Sequence, residues 1–339
     1  MQSRKVTPNE AGQRLDKLLA KLLNKAPKSF IYKMLRKKNI TLNDKKADGS
    51  EKLSVGDEIK LWLADETIDK FSGSIIEIVR DHLDIIYEDE DILVINKAPG
   101  VLSQKAAAGD VSVNEELLSY MLRTGQSTLE EFKSFKPSVC HRLDRNTSGI
   151  LIAGKTMQGL QDMAQLIRER RVGKYYCCLV HGQVTKGENI CGYLVKDEAA
   201  NKVTVTKEKG AGSDFIETHY EPLASNGKLT LLWVHLITGR SHQIRAHLAS
   251  VGHAIAGDGK YGDPGDNRYL YSKYHLKYQL LHCIQMTMPE DTLRLRAISG
   301  KTFRAPLPSL FECILRQEKI TDSALRAYLH GHSASNKER

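Results

Sequence analysis

The sequence contains no apolar run near the roughly 20 residues that a membrane-spanning helix needs. Its first residues, Met1-Gln2-Ser3-Arg4-Lys5-Val6, carry no apolar signal region. Both absences lead to the expectation of a cytoplasmic protein with no membrane partner. The six cysteines (positions 140, 177, 178, 191, 283 and 313) include no Cys-x-x-Cys spacing, and Cys177 and Cys178 are adjacent. That pattern argues against a zinc site and a disulfide framework, leaving reduced, mostly buried thiols as the expected state. What the chain does have is 339 residues, room for two domains, with 41% hydrophobic residues to fill a core.

Charge is distributed unevenly. Residues 1–64 hold 15 Lys and Arg against 7 Asp and Glu, so nearly all of the chain's formal net charge of +9 sits in this segment. A basic appendage on an almost neutral body implies contact with a polyanion, either nucleic acid or an acidic membrane surface.

Within that appendage, Leu15, Leu18, Leu19, Leu22 and Leu23 recur at helical spacing, with Lys17 and Lys21 on the other face. A second helix is expected after Pro27, with Phe30, Ile31, Met34 and Leu35 inward and Lys33, Arg36, Lys37 and Lys38 outward. Asn39 is the residue expected to end it in the left-handed conformation. Strands follow at 40–43 and 55–63. The leucine stripe is needed for the module's own core, which makes a membrane-surface helix the weaker reading. Charge runs often only solvate a helical face, but the confinement of net charge to this module favours binding. Residues 65–84 are expected to link it to a larger domain, with Phe71-Ser72-Gly73-Ser74 as the flexible point.

In the larger part, strands are expected at 85–87, 92–95, 174–182, 190–195, 202–207, 215–221 and 229–236, and again at 281–283. Helices are expected at 113–123, 156–171, from about 243, and at 309–317. Residues 124–136 read as a polar loop and the tail from Gly331 as disordered. His242, His247 and His253 are spaced five and six apart, which places them on different faces of a helix and argues against a metal. Satisfied structural histidines are the simpler expectation.

The stretch the chain is organised around is His141-Arg142-Leu143-Asp144-Arg145-Asn146-Thr147-Ser148-Gly149-Ile150-Leu151. Asp and Arg around a turn are often a surface ion pair worth under about 1 kcal/mol. Here short β-prone runs flank them, and a carboxylate pinned between buried strands needs cationic or hydrogen-bonding partners to stay ionised. Such carboxylates cluster at functional sites. His-Arg-Leu-Asp-x-x-Thr-Ser-Gly resembles the signature of RluA-type pseudouridine synthases, which are RNA-modifying enzymes. Gly239-Arg240-Ser241-His242-Gln243-Ile244-Arg245 resembles the family's Gly-Arg-Thr-His-Gln-Ile-Arg helix entry, with serine for threonine. Lys174-Tyr175-Tyr176 resembles its Lys-x-Tyr strand. Asn96-Lys97-Ala98-Pro99-Gly100 resembles its Asn-Lys-Pro-x-Gly turn with the proline one place later, and Ala254 stands where the family usually has Pro. The appendage, through Arg14-Leu15-Asp16, the basic second helix and the Val-Gly-Asp turn, resembles the alpha-L RNA-binding domain.

These resemblances imply an α+β fold: a small basic alpha-L domain (1–64), a linker (65–84), and a catalytic domain (85–308) on a mixed, mainly antiparallel sheet with flanking helices. A C-terminal helix and tail (309–339) complete the chain. They also imply Asp144 as the catalytic carboxylate, Arg245 as its ion-pair partner, and Tyr176 stacked on the uracil. Arg142, Arg145 and Arg240 become contacts to RNA, joined by Arg14, Lys33, Arg36, Lys37 and Lys38 from the appendage. Isomerising uridine requires neither metal nor cofactor, and one carboxylate suffices where glycoside hydrolysis usually takes two. The expected partner is structured RNA, with ribosomal RNA favoured over transfer RNA. A monomer is expected because no spare apolar helix is evident. Two other classes stay open at this point, a non-catalytic RNA-binding protein and a nucleobase hydrolase releasing free uracil.

Overall fold

The computed structural model describes residues 1–73, 77–197 and 202–321, together with 323, 325 and 327. The tail from Gly331 and position 74 of the expected flexible point lie outside the described residues. The chain divides into two compact units, one of residues 1–82, 114–138 and 154–161, the other of 83–113, 139–153 and 162–339.

In the first unit, helices Leu15–Leu22 and Lys28–Arg36 lie with a four-stranded antiparallel sheet in the order Gln2–Lys5, Glu58–Leu61, Ile40–Leu42, Lys45–Lys46. The leucine spacing explains the first helix. Leu15, Leu18, Leu19 and Leu22 are all buried, in one core with Ile31, Leu35, Ile40 and Ile59. Full burial of each such side chain contributes about 1.5–3 kcal/mol before entropy is counted. The residue that ends the second helix in the left-handed conformation is Lys38 (φ 59°), one place before the expected Asn39. Residues 65–71, expected within a linker, form helix Asp65–Phe71, whose Ile68 joins the same core. Strand Gln2–Lys5 was not legible because only four residues pair and none is fully buried.

The second unit is built on an eleven-stranded sheet. Its main path runs Lys202–Thr206, Glu188–Asp197, Asp214–Ser225, Leu229–Leu236, Gly173–His181, Leu281–Thr287, Ser148–Gly154, Ile92–Lys97, Ile85–Glu88. From the first of these to Leu281–Thr287 every pairing is antiparallel, and Leu281–Thr287 then pairs in parallel with Ser148–Gly154. This is the α+β architecture with a mixed, mainly antiparallel sheet that the motifs implied.

Register assigns the faces, because paired residues in a ladder project to the same side. Trp233 pairs with Cys177 and Leu231 with Leu179, and all four are buried with Leu270, Phe311 and Ile314 from helices Pro264–Tyr274 and Ser309–Gln317. The opposite face carries Tyr176, paired with Val234 and Cys283, and Tyr220, also paired with Val234. Helix Gln243–Ser250 lies against this face through Ala246, in a small core with Ile216, Leu194 and Val203.

Candidate active site

The central motif is a turn leading into strand Ser148–Gly154, all seven residues of which are buried. Gly149 has φ +101°, and a Cβ placed on it would fall 2.1 Å from the Cys283 carbonyl oxygen. Only glycine serves at that position, since the neighbouring strand passes too close for any side chain. Before it, the Asp144 carbonyl accepts the Thr147 N–H at 3.0 Å and closes the turn. Ser148 Oγ and His282 Nδ1 are 2.9 Å apart, and His282 Nε2 donates to the Ala305 carbonyl at 3.3 Å.

Asp144 therefore projects from a fixed backbone, and Arg245 meets it. Arg245 Nη1 donates to Asp144 Oδ2 at 2.8 Å, while its Nε and Nη2 form a two-pronged pair with Asp258 at 2.7 and 2.9 Å. The two acids differ in exposure. Asp258 is 0% exposed, Arg245 9% and Asp144 25%, so the chain of charges runs from the interior to the cleft wall. Burial would raise the Asp258 pKa, but Arg245 outweighs it and holds the carboxyl below its usual range. Burial works against the guanidinium's charge too, yet Asp258 and then Asp144 raise its pKa above normal. Arg245 stays charged and its free edge faces Asp144.

Tyr176 is buried on the cleft side of its strand. Burial first, and then the Cys283 thiol to which it hydrogen-bonds, push its phenol well above the ordinary value. It is a neutral ring, suited to stacking. Asp144, Tyr176 and Arg245 all line one cleft of about 830 Å3, together with Arg142, Arg145 and Arg240. Arg142 is exposed and has no partner among the described residues. Arg145 is exposed and its Nε donates to the Gly100 carbonyl at 3.1 Å, and Arg240, half exposed, pairs with Asp214 at 2.9 Å. In the other unit Lys33, Arg36, Lys37 and Lys38 are exposed and without ion-pair partners among the described residues. Arg14 is already engaged, forked onto Asp16 at 3.1 Å.

Three residues were missed from sequence. Asp258 sat inside a matched stretch with nothing to distinguish it from a surface acid. Lys97 is almost fully buried, and its Nζ donates to the carbonyls of Ala98, Val101 and Arg145 at 3.0, 2.8 and 3.0 Å. It stitches the Asn96–Gly100 turn to the residue next to Asp144. Burial pulls its pKa down to about 7, with Asp144 acting in the opposite sense. Of the three histidines expected to be structural, His247 is buried against Thr218 at 3.0 Å, whereas His242 lines the cleft. Among the described residues no cluster of His, Cys, Asp and Glu could hold a metal ion, and no helix is long and apolar enough to cross a membrane.

A lone carboxylate held by arginine in a basic, aromatic-floored cleft, alongside a separate basic module, is the equipment of an enzyme that acts on RNA. Comparison with known proteins narrows the class. The family described as RNA pseudouridylate synthase matches residues 91–250, and the S4 domain matches residues 13–59. The ribosomal large subunit pseudouridine synthase C of Escherichia coli (strain K12) is 32% identical over 271 residues, spanning 78% of this chain and 81% of that protein. Its counterpart in Salmonella typhi is 31% identical over 316 residues, 90% and 95% of the two chains. Human RNA Pseudouridylate Synthase Domain Containing 4 shares the fold, with a TM-score of 0.56 at 22% identity over 70% of this chain and 93% of that one. The chain belongs to the RluA-type RNA pseudouridine synthases and carries an N-terminal S4 domain; it is an isomerase that converts uridine to pseudouridine in RNA.

Proposed function

We propose that the protein isomerises specific uridines of large-subunit ribosomal RNA, with Asp144 as the catalytic carboxylate. The single observation that carries the assignment is the Asp258–Arg245–Asp144 chain. It anchors Arg245 on Asp258 in the interior and through it fixes the Asp144 carboxylate at the cleft wall. The names of the relatives support the ribosomal target.

The chemistry needs the glycosidic carbon–nitrogen bond broken, the uracil turned, a carbon–carbon bond formed at uracil C5, the C5 proton lost and a proton gained at N1. Asp144 initiates it by attack on the anomeric carbon or by removing the proton of the neighbouring sugar carbon. Arg245 fixes the position of the carboxylate through its 2.8 Å hydrogen bond to Oδ2. Tyr176, neutral and buried at the cleft floor, stacks on the uracil, a contact worth about 1–3 kcal/mol per base. A uridine in folded RNA must first be extruded at a cost of a few kcal/mol. Arg142, unpaired and exposed at the rim, fills the vacated stack, since a guanidinium both stacks on bases and binds phosphate. Arg145 and Arg240 hold phosphates, and the S4 domain adds sequence-tolerant contacts through Lys33, Arg36, Lys37, Lys38 and Arg14.

The test is Asp144→Asn in the purified protein with RNA tritiated at uracil C5, from which carbon–carbon bond formation releases the label. Tritium release falls by at least about 10⁴-fold, the scale seen when a reacting group is removed, while RNA affinity stays within a factor of two or so because phosphate contacts dominate it. Release at the wild-type rate would remove Asp144 from the reaction.

A further inference from the structure

His242 lines the cleft but has no part in the chemistry above. It caps the N-terminus of helix Gln243–Ser250 with φ 55° and ψ 14°, the left-handed region. For a side chain with a Cβ that conformation costs on the order of 1 kcal/mol or more, and it persists where the surroundings over-determine it, often at functional sites. The cap places His242 one helical turn before Arg245, so both belong to the face that meets Asp144.

Hydrogen bonding determines which ring nitrogen carries the proton. His242 Nδ1 lies 2.9 Å from the Tyr261 hydroxyl. That oxygen already accepts the Val203 N–H at 3.0 Å. With that N–H on the oxygen, the hydroxyl hydrogen has no other acceptor among the described residues than His242 Nδ1; in that arrangement tyrosine donates and the neutral imidazole bears its hydrogen on Nε2. Nε2 has no partner among the described residues. Tyr261 is itself pinned, with its ring 5.2 Å from the Arg245 guanidinium and its backbone N–H on Asp258 Oδ1 at 3.1 Å. Burial keeps the imidazole on its neutral side, although Asp144 pulls the other way. The cleft is thus lined by an uncharged donor together with three arginines that already suit phosphate.

We propose that His242 is a base-recognition residue: its Nε2–H donates to a carbonyl oxygen of the target uracil beside Asp144, with the Tyr261 hydroxyl setting the tautomer. This inference rests on the cleft being the uridine site. An uncharged donor fits an uncharged carbonyl, and a misplaced or missing donor leaves that oxygen desolvated without a partner.

The experiment uses the full-length protein and an RNA fragment with one target uridine, measured under single turnover. His242→Phe keeps a ring and removes the donor; the rate falls by about 10- to 100-fold, the cost of one unmet buried acceptor, with RNA affinity unchanged. His242→Gln, which restores an N–H, recovers most of the loss. A second measurement reads the contact first on the wild-type protein itself. Replacing one uracil carbonyl at a time with sulfur, a poorer acceptor, slows the wild-type protein for one of the two positions, and His242→Phe is indifferent to that same replacement. A folded His242→Phe protein at the wild-type rate, or equal responses of both proteins to both sulfur substitutions, overturns the proposal. Asp144→Asn run in parallel separates the two levels. If it still turns over, the reading of the cleft fails; if it is inactive while folded His242→Phe turns over at the wild-type rate, only the role of His242 fails.

Discussion

The S4 domain and the synthase cleft both depend on positive charge and use it in opposite ways. In the S4 domain Lys33, Arg36, Lys37 and Lys38 stand exposed on one helix end, unpaired among the described residues, and nearly the whole net charge of the chain lies in this segment. In the cleft Arg245 is buried between two carboxylates that outnumber it, and Lys97 is buried against three carbonyls. Exposed charge attracts a polyanion at long range, is screened by salt, and tolerates the loss of any one member. Buried charge positions a single atom, and each bond matters. Binding and chemistry are therefore expected to fail independently.

The sharpest way to break that contrast is Arg245→Met. It leaves Asp258, at 0% exposure, without its counter-ion, and removing one partner of a buried pair costs about 3–5 kcal/mol. Each region has its own reporter, Trp62 at 51% exposure in the first unit and Trp233 at 2% in the second. Single-tryptophan forms of the variant should show the Trp233 transition moved to lower denaturant and the Trp62 transition unmoved. Equal shifts would mean that the two regions unfold as one.

Acid separates them next. His141, His247 and His282 are each pushed down from 6.5 to about 4 by burial. Their folded pKa lies below the unfolded value, so on falling pH the unfolded chain takes up protons first. The stability they confer is complete above about pH 6.5 and is lost progressively as pH falls towards 4, at most about 3 kcal/mol for each. Residues 1–64 contain no histidine. Between pH 7 and 4.5 the Trp233 midpoint should fall steeply and the Trp62 midpoint much less, which chemical unfolding at several pH values measures.

The S4 domain has its own lever. Replacing Lys33, Arg36, Lys37 and Lys38 with Gln should reduce the slope of log affinity against log salt by about 3, since each phosphate contact contributes about 0.7–0.9. The rate at saturating RNA should be unchanged. A drop in that rate with an unaltered slope would show that these side chains serve the reaction rather than binding. The smallest expected effect is Arg240→Gln, which breaks a half-exposed pair with Asp214 and changes stability by under about 1 kcal/mol. Thermal melting suffices to check it.

Legibility followed the same division. Periodicity alone was enough for the S4 domain helices, because five leucines at helical spacing admit one buried face. It was enough too for the long strands, such as Leu229–Leu236 with seven of eight residues buried. Helix Pro264–Tyr274 escaped because only Leu270 is buried along it, so no stripe marks its face. In the cleft, Asp144 and Arg245 are 101 positions apart, and no spacing rule connects them. Their pairing was expected only from resemblance to a family. Asp258 and Lys97 act through burial, and burial of a single charged side chain leaves no trace in a local window of sequence.

The most direct measurement of the central claim is site-resolved mapping of pseudouridine in large-subunit ribosomal RNA from cells making the wild-type protein, no protein, or the Asp144→Asn form. The account predicts a small set of positions modified only with the wild-type protein and absent in both other cases. Identical maps in all three, or full modification with Asn at position 144, would contradict it.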